Sequence, residues 1–427
     1  MAGNLFILNL EVFMFEISDE ILEEYATLAV KVGANVKEGQ TVLISGPVQA
    51  YKLINKCVKK AYEAKAKRVL VDYSDEDNLK LKYEYEDSET LSHIFEYQVL
   101  RNKELIEEDY CTIHIVGGDP DLFKGLDNEK IKKASIARMK AFADYDYYFM
   151  NSVGQWTLLA YPNLAWAKKV FPDLDDEDAM NALWNAILMT SRVELGKTVE
   201  NWKNHDEELF NHCKKMNEYN FKSLHFTNSL GTDLTVGLIK DHIWSGGEEI
   251  ASGKYKVPFN ANIPTEEIFT MPDRYHIDGK VYSTKPLSHN GKIIPSFNLT
   301  FKDGVVVDYD ASENKEVLKT ILDTDEGSKS LGEVALISYD SPISNSGILF
   351  YDTLFDENAS CHLALGACYP TTVKGGDKLS SEELYKLGGN DSLNHVDFMF
   401  GSSDLSVVGL TYDGKEVDIF KDGNFLF

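Results

Sequence analysis

Glu266 and Glu267 stand side by side in ANIPTEEIFTMPD, residues 261–273, among Pro264, Ile268 and Phe269. On an extended segment neighbouring side chains point to opposite faces, so the two carboxylates can take different roles. Glu333 lies between Gly332 and an apolar run, residues 334–337. A carboxylate leading into a buried strand needs a cation or a proton, although an ordinary glutamate at a strand start has the same signature. In NHVDFMFG, residues 394–401, His395 and Asp397 are two apart and share one face of a strand. Imidazole and carboxylate then converge on one cation without moving the backbone, and a hydrogen-bonded core pair fits the same spacing.

FDENASCHLALG, residues 355–366, adds a cysteine beside a histidine. A nucleophilic thiol needs an imidazole within hydrogen-bond reach. Adjacent residues face apart on a strand and are poorly placed to meet on a helix, so Cys361 is read as a packed, inert thiol. His362 is different, with Glu357 five residues before it and Tyr369 seven after, in a segment rich in small residues. One carboxylate, one imidazole and one phenol can line one pocket.

The elements that hold these groups fall into two textures. Ser18, followed by acidic residues and apolar positions at helical spacing up to Gly33, predicts an N-capped amphipathic helix. TVLISG (41–46), a helix opening at Pro47, and RVLVDYS (68–74) make a parallel crossover unit. YCTIHIVGGDP (110–120), a helical NEKIKKASIARMKAFADYD and a strand-like YYFMNSV repeat the pattern. An open, mostly parallel α/β sheet over residues 18–200 follows, closed by a long helix within 173–193. Gly117-Gly118 can cradle a phosphate, but with neither GxGxxG nor a P-loop lysine nearby it is read as a plain strand-end turn. Beyond residue 210 short β-rich stretches carry hairpin turns at Asn290-Gly291, Asp303-Gly304 and Asp413-Gly414. The expected division is an α/β domain over 1–205 and a β-rich, barrel-like α+β catalytic domain over 206–427.

The charge balance narrows the partners. With 43 Lys+Arg against 69 Asp+Glu the net charge is -26, a surface that repels nucleic acid and anionic lipid. The opening MAGNLFILNLEVFMF has no basic flank and is interrupted by Asn9 and Glu11, so it is read as an N-terminal strand or cap rather than a signal peptide. No segment approaches the roughly 20 apolar residues of a membrane span. Five scattered cysteines without CxxC spacing argue against disulfides and zinc fingers. A cytoplasmic location is expected.

NIPTEEIFTMPD, VYSTKPL, DEGSKSLGEVALI, SPISNSGILFYDTLFDENASCHLALG and HVDFMFG, in this order, together resemble the thermophilic-type metallo-aminopeptidases, the aminopeptidase T, aminopeptidase S and PepS group. The N-terminal half agrees in length and order, so the resemblance covers nearly the whole chain. Phe400, where the family usually has a smaller aliphatic residue, and the apolar stretch before Ser18 depart from the pattern. The resemblance implies an exopeptidase with two divalent ions per chain, low side-chain selectivity towards short peptides with a free N-terminus, and a homodimer enclosing its sites. Carried over position by position, the ligands are Glu267, Glu333, Glu357, His362, His395 and Asp397, with Tyr369 beside the metals as a catalytic or orienting group. Nitrogen and oxygen donors of this kind suit Zn, Co, Mn or Mg. Glu333 is expected to bridge the two ions. Glu266 is the spare carboxylate expected as general base; the alternative needs no separate base and has Tyr369 donate a hydrogen bond to the oxyanion. Lys285 in STKPL is read as a structural lysine before a substrate contact.

Overall fold

The computed structural model describes residues 17–289 and 292–427, and all counts below refer to these. The apolar N-terminal stretch expected as a strand or cap, and the Asn290-Gly291 turn, lie outside the described residues. One sheet has five parallel strands in the order Arg68–Ser74, Thr41–Pro47, Cys111–Val116, Trp156–Ala160 and Asn262–Ile263, four from the first half of the chain and the edge strand Asn262–Ile263 from the second. The helix Asp19–Leu28 starts where expected, its cap Ser18 accepting from the Ile21 amide, and it buries Leu22, Tyr25, Ala26 and Leu28. Pro47 does not open the next helix. It ends the strand Thr41–Pro47, and a short 3₁₀ turn precedes the helix Tyr51–Glu63.

One strand was misplaced. YYFM belongs to the helix Ala143–Met150, and the strand is Trp156–Ala160. Tyr148 and Phe149 are buried against Leu43, Leu105 and Tyr110, so a helix lying on the sheet uses a short aromatic run as readily as a buried strand does. Gly117-Gly118 is a turn already filled by a carboxylate: both Glu76 oxygens accept from the Asp119 amide, at 3.1 and 3.2 Å. A Cβ on Gly118 would meet Glu76 Oε1 at 2.0 Å, leaving no room for a phosphate.

The second half is β-rich and antiparallel, as expected. One sheet has eight strands, in the order Val305–Ala311, Phe297–Lys302, Pro272–Tyr282, Asp233–Leu238, Ser223–Thr227, Ser406–Leu410, Glu416–Lys421 and Asn424–Phe425. Asp303 and Gly304, with φ of 49° and 83°, make the tight hairpin that their residue types favour. A smaller sheet has the order Ile268–Thr270, Leu331–Leu336, His362–Gly366 and His395–Met399. Leu224, Phe226, Val236 and Ile277 of the large sheet share one core with Val334, Leu363 and Phe398 of the small one.

The two halves are stitched together by the chain. The helix Thr198–Tyr219 contributes Trp202 to the first core and Leu209, Cys213 and Met216 to the second. Ile343, Phe350, Leu354 and Phe355, from the segment that leads to Glu357, pack in the first core. No helix among the described residues is long and apolar enough to cross a membrane.

Candidate metal centre

The small sheet sorts its residues by strand alternation. Cross-strand partners share a face, and Glu333 pairs with Ala364, Ala364 with Asp397, Ala335 with His362, and Gly366 with His395. Phe269 pairs with Ala335, which brings Glu267, two residues before Phe269, to the same side. Five of the six expected ligands therefore lie on one face, with the small Ala335 and Ala364 between them. The other face carries Ile268, Val334, Leu336, Leu363, Leu365, Val396 and Phe398 into the core.

Register alone would not achieve this. Leu331 pairs with Leu365 and Glu333 with Ala364, so Gly332 is an extra residue in its strand, a β-bulge. The bulge lets Leu331 enter the core although it is only two residues from Glu333.

The donor atoms form two groups with a common member. Glu267, Glu333 and His362 bring donor atoms within 4.8 Å of one another, and so do Glu333, His395 and Asp397. His362 Nε2 is 3.1 Å from Glu267 Oε2 and 3.7 Å from Glu333 Oε1, while His395 Nε2 is 3.2 Å from Glu333 Oε2 and 3.3 Å from Asp397 Oδ1. Glu357 and Tyr369 lie outside these two groups and line the same cavity of about 1150 Å³. The Tyr369 ring meets those of His395 and Phe269 edge-on, at 5.0 and 5.7 Å.

This donor set fits divalent cations. His395 Nδ1 lies 2.7 Å from the Ala367 carbonyl, and donation there leaves Nε2 as a lone pair aimed at two carboxylates. Only a proton or a metal between them makes that arrangement favourable. The buried Glu267 Oε2 and Asp397 Oδ1 face these histidine nitrogens, at 3.1 and 3.3 Å, and with Nε2 unprotonated neither oxygen has a hydrogen-bond donor, a costly condition for buried carboxylates. Burial pulls both imidazoles down, yet the surrounding carboxylates outweigh it and hold His362 and His395 well above the ordinary histidine value. Burial also raises Glu267, partly offset by His362, and raises Glu357, reinforced by Asp397 and Glu267. For Glu333 burial acts upward too, but the two imidazoles prevail and keep it low.

These shifts fix the sign of a pH effect. Where a folded-state value is raised, the native state holds more protons, and stability is lost as pH rises through that value. Protein stripped of divalent ions should lose thermal stability relative to the metal-loaded form as pH climbs above about 6.5, the ordinary histidine value. Ligands that hold a metal hold no proton, so the metal-loaded protein should lack this decline. Melting curves from pH 6 to 8.5, with chelator and with added metal, test it through their difference, which cancels titrations common to both forms such as those of the buried His114 and His205; a gap between the two curves that does not widen as pH rises would refute the assignment.

Residues 18–425 match the thermophilic metalloprotease family, M29. The chain belongs to this family. Membership implies a divalent metal, and together with the names of the relatives that follow it gives the enzyme class expected from the sequence, a metallo-aminopeptidase. Aminopeptidase 2 of Geobacillus stearothermophilus is 44% identical over 409 residues, covering 95% of this chain and 98% of that protein. Aminopeptidase AmpS of Bacillus subtilis is 43% identical over 406 residues, with the same coverage of each chain. The solved structure of wild-type AmpT from Thermus thermophilus superposes with a TM-score of 0.88 at 34% identity, covering 95% of this chain and 99% of that one.

In this M29 chain the expected base, Glu266, is not brought to the cluster. Its oxygens accept from Arg192 Nη1 and Nη2, each at 2.7 Å, and it does not line the cavity. Cys361 packs in the core, its Sγ 3.3 Å from both the carbonyl and the amide of Ile337, and burial pushes its thiol up to about 12. Arg192, His205 and Asn358, which surround Glu266 and Glu267, were not singled out in the sequence: each is a lone polar residue with no local pattern.

Proposed function

We propose that this chain is an aminopeptidase that uses two divalent ions to hydrolyse the N-terminal peptide bond of short peptides with broad side-chain selectivity. The observation that carries the reading is that Glu333 belongs to both donor groups, one carboxylate oxygen facing each imidazole. Glu267 and His362 would hold one ion, His395 and Asp397 the other, with Glu333 between them and Glu357 completing the set. When bound, such a pair polarises the scissile carbonyl and lowers the pKa of a water molecule.

The chain's own groups do the rest. Tyr369 is kept protonated by burial and by the carboxylates around it, so its hydroxyl can donate a hydrogen bond to the oxyanion as the carbonyl carbon becomes tetrahedral. Both Glu266 oxygens are committed to Arg192, which favours attack without a separate general base. The carboxylates attract the cationic α-amine of a peptide, a group common to all unblocked peptides, and the cavity exceeds the volume of one residue. Both features favour reading the main chain rather than the side chain.

Zn, Co, Mn or Mg suits the oxygen and nitrogen donors. The same reading includes residues 206–427 as the catalytic domain over an α/β domain at 1–205, a homodimer enclosing its sites, and a cytoplasmic location, which the five free thiols favour. Phosphoryl chemistry in the α/β half is opposed by Glu76 in the Gly117-Gly118 turn.

Protein stripped with chelator and assayed on aminoacyl-arylamides should recover activity only on adding divalent metal, and only on unblocked substrates. Cys361→Ser should keep that activity. Equal cleavage of N-acetylated substrates, or no metal-dependent release from any unblocked one, would sink the proposal.

A further inference from the structure

Glu267 precedes the strand Ile268–Thr270, so no sheet ladder fixes its own backbone. What holds it comes from elsewhere. His205, on the helix Thr198–Tyr219, places Nε2 2.7 Å from the Thr265 carbonyl. Burial and the nearby Arg192 charge push this imidazole far below its ordinary value, so it is neutral and donates. The Glu266 amide donates to Asn358 Oδ1 at 2.8 Å, and Asn358, itself fully buried, donates from Nδ2 to the Leu354 carbonyl at 3.2 Å. Arg192, just beyond the helix Asp176–Thr190, forks the Glu266 carboxylate. On the opposite side Gly246 packs so closely that a Cβ there would stand 2.3 Å from the Glu267 carbonyl oxygen.

We infer that Arg192, Glu266 and Asn358 form a positioning relay that aims the Glu267 carboxylate at the ion position it shares with His362. Adjacent side chains of an extended segment face apart, so anchoring Glu266 outward on Arg192 turns Glu267 into the cavity. A bidentate fork fixes the plane of Glu266 as well as its distance. Asn358 directly follows Glu357, so one amide side chain ties the main chain at Glu266 to the segment carrying a second carboxylate of the site. The relay thereby sets Glu267 and Glu357 relative to each other, while Asp397 and His395, held by the sheet, are independent of it. Glu266 is thus a positioning residue and not the base. The inference rests on the two-ion reading given above.

The test is divalent-ion binding by calorimetry with Zn or Mn alone, on wild type, Arg192→Lys and Asn358→Ala. Lysine keeps the charge but cannot fork; alanine removes the acceptor for the Glu266 amide. Each variant should weaken one of the two ion positions by about tenfold or more and leave the other within about twofold. Activity should return at high metal concentration with KM little changed. Unaltered binding of both ions, or equal weakening of both, would overturn the relay. If Asn358→Ala does not fold, Arg192→Lys at the partly exposed Arg192 decides alone. A wild-type isotherm without two ions would instead count against the two-ion reading, which separates the two failures.

Discussion

Glu333→Ala should bind neither ion at micromolar concentration and should lose at least about 10³-fold in kcat/KM, the several kcal/mol that Lewis-acid stabilisation contributes to such reactions. The effect should exceed that of any other single ligand, because Glu333 is the member common to the two donor groups. Removing Glu267 would strip one group, and removing Asp397 the other. Folding should suffer less than catalysis. The residue lost is one of several carboxylates around two imidazoles, and His362 keeps Glu267 at 3.1 Å while His395 keeps Asp397 at 3.3 Å. Metal content of the purified variant, its circular dichroism and its arylamide turnover decide the matter. A folded Glu333→Ala protein that retains two ions would remove Glu333 from the bridging role.

The comparison of His362 with Cys361 shows why the placement of most residues of the candidate site was legible from the chain. A period of two is the only information needed to send Cys361 to the core and His362 to the donor face, and the same rule pairs His395 with Asp397. The rule works because one face of the small sheet is apolar but for Thr270, so a slip of one residue would send the donor residues into the core. It fails where partners are remote and unpatterned. Arg192 meets Glu266 across 74 positions, His205 meets Thr265 across 60, and Asn358 meets Glu266 across 92. Nothing in the neighbours of those three residues marks them. The misplaced YYFM strand has another cause: four apolar residues are too few to separate a helix lying on a sheet from a strand within it. Glu266 lay between these cases. Its difference in direction from Glu267 is legible in their adjacency, while the partner it reaches, Arg192, is not.

Gly332 leaves a trace in the sequence, a glycine directly before the key carboxylate, and Gly332→Ala is expected to be the most damaging conservative change near the site. The alanine Cβ would stand 2.1 Å from the Ala367 carbonyl oxygen and 2.4 Å from that of Gly366. Both neighbours are backbone atoms, one in the strand His362–Gly366 and one immediately after it, and they cannot rotate away as a side-chain tip could. Relief requires the two strands to part or the bulge to be lost. Parting the strands should cost about 2–3 kcal/mol, the upper range for overpacking in a close-packed core. Losing the bulge would set Leu331 and Glu333 on the same face, so that either a leucine leaves the core or a carboxylate enters it. Either route displaces the Glu333 carboxylate, and about 1 Å of displacement at a reacting centre can cost about 10²-fold in rate. Folded Gly332→Ala protein, identified by a cooperative denaturant transition, should therefore show both lowered stability and at least that loss of kcat at saturating metal. Full turnover per folded molecule would mean that the bulge serves only packing and does not aim Glu333.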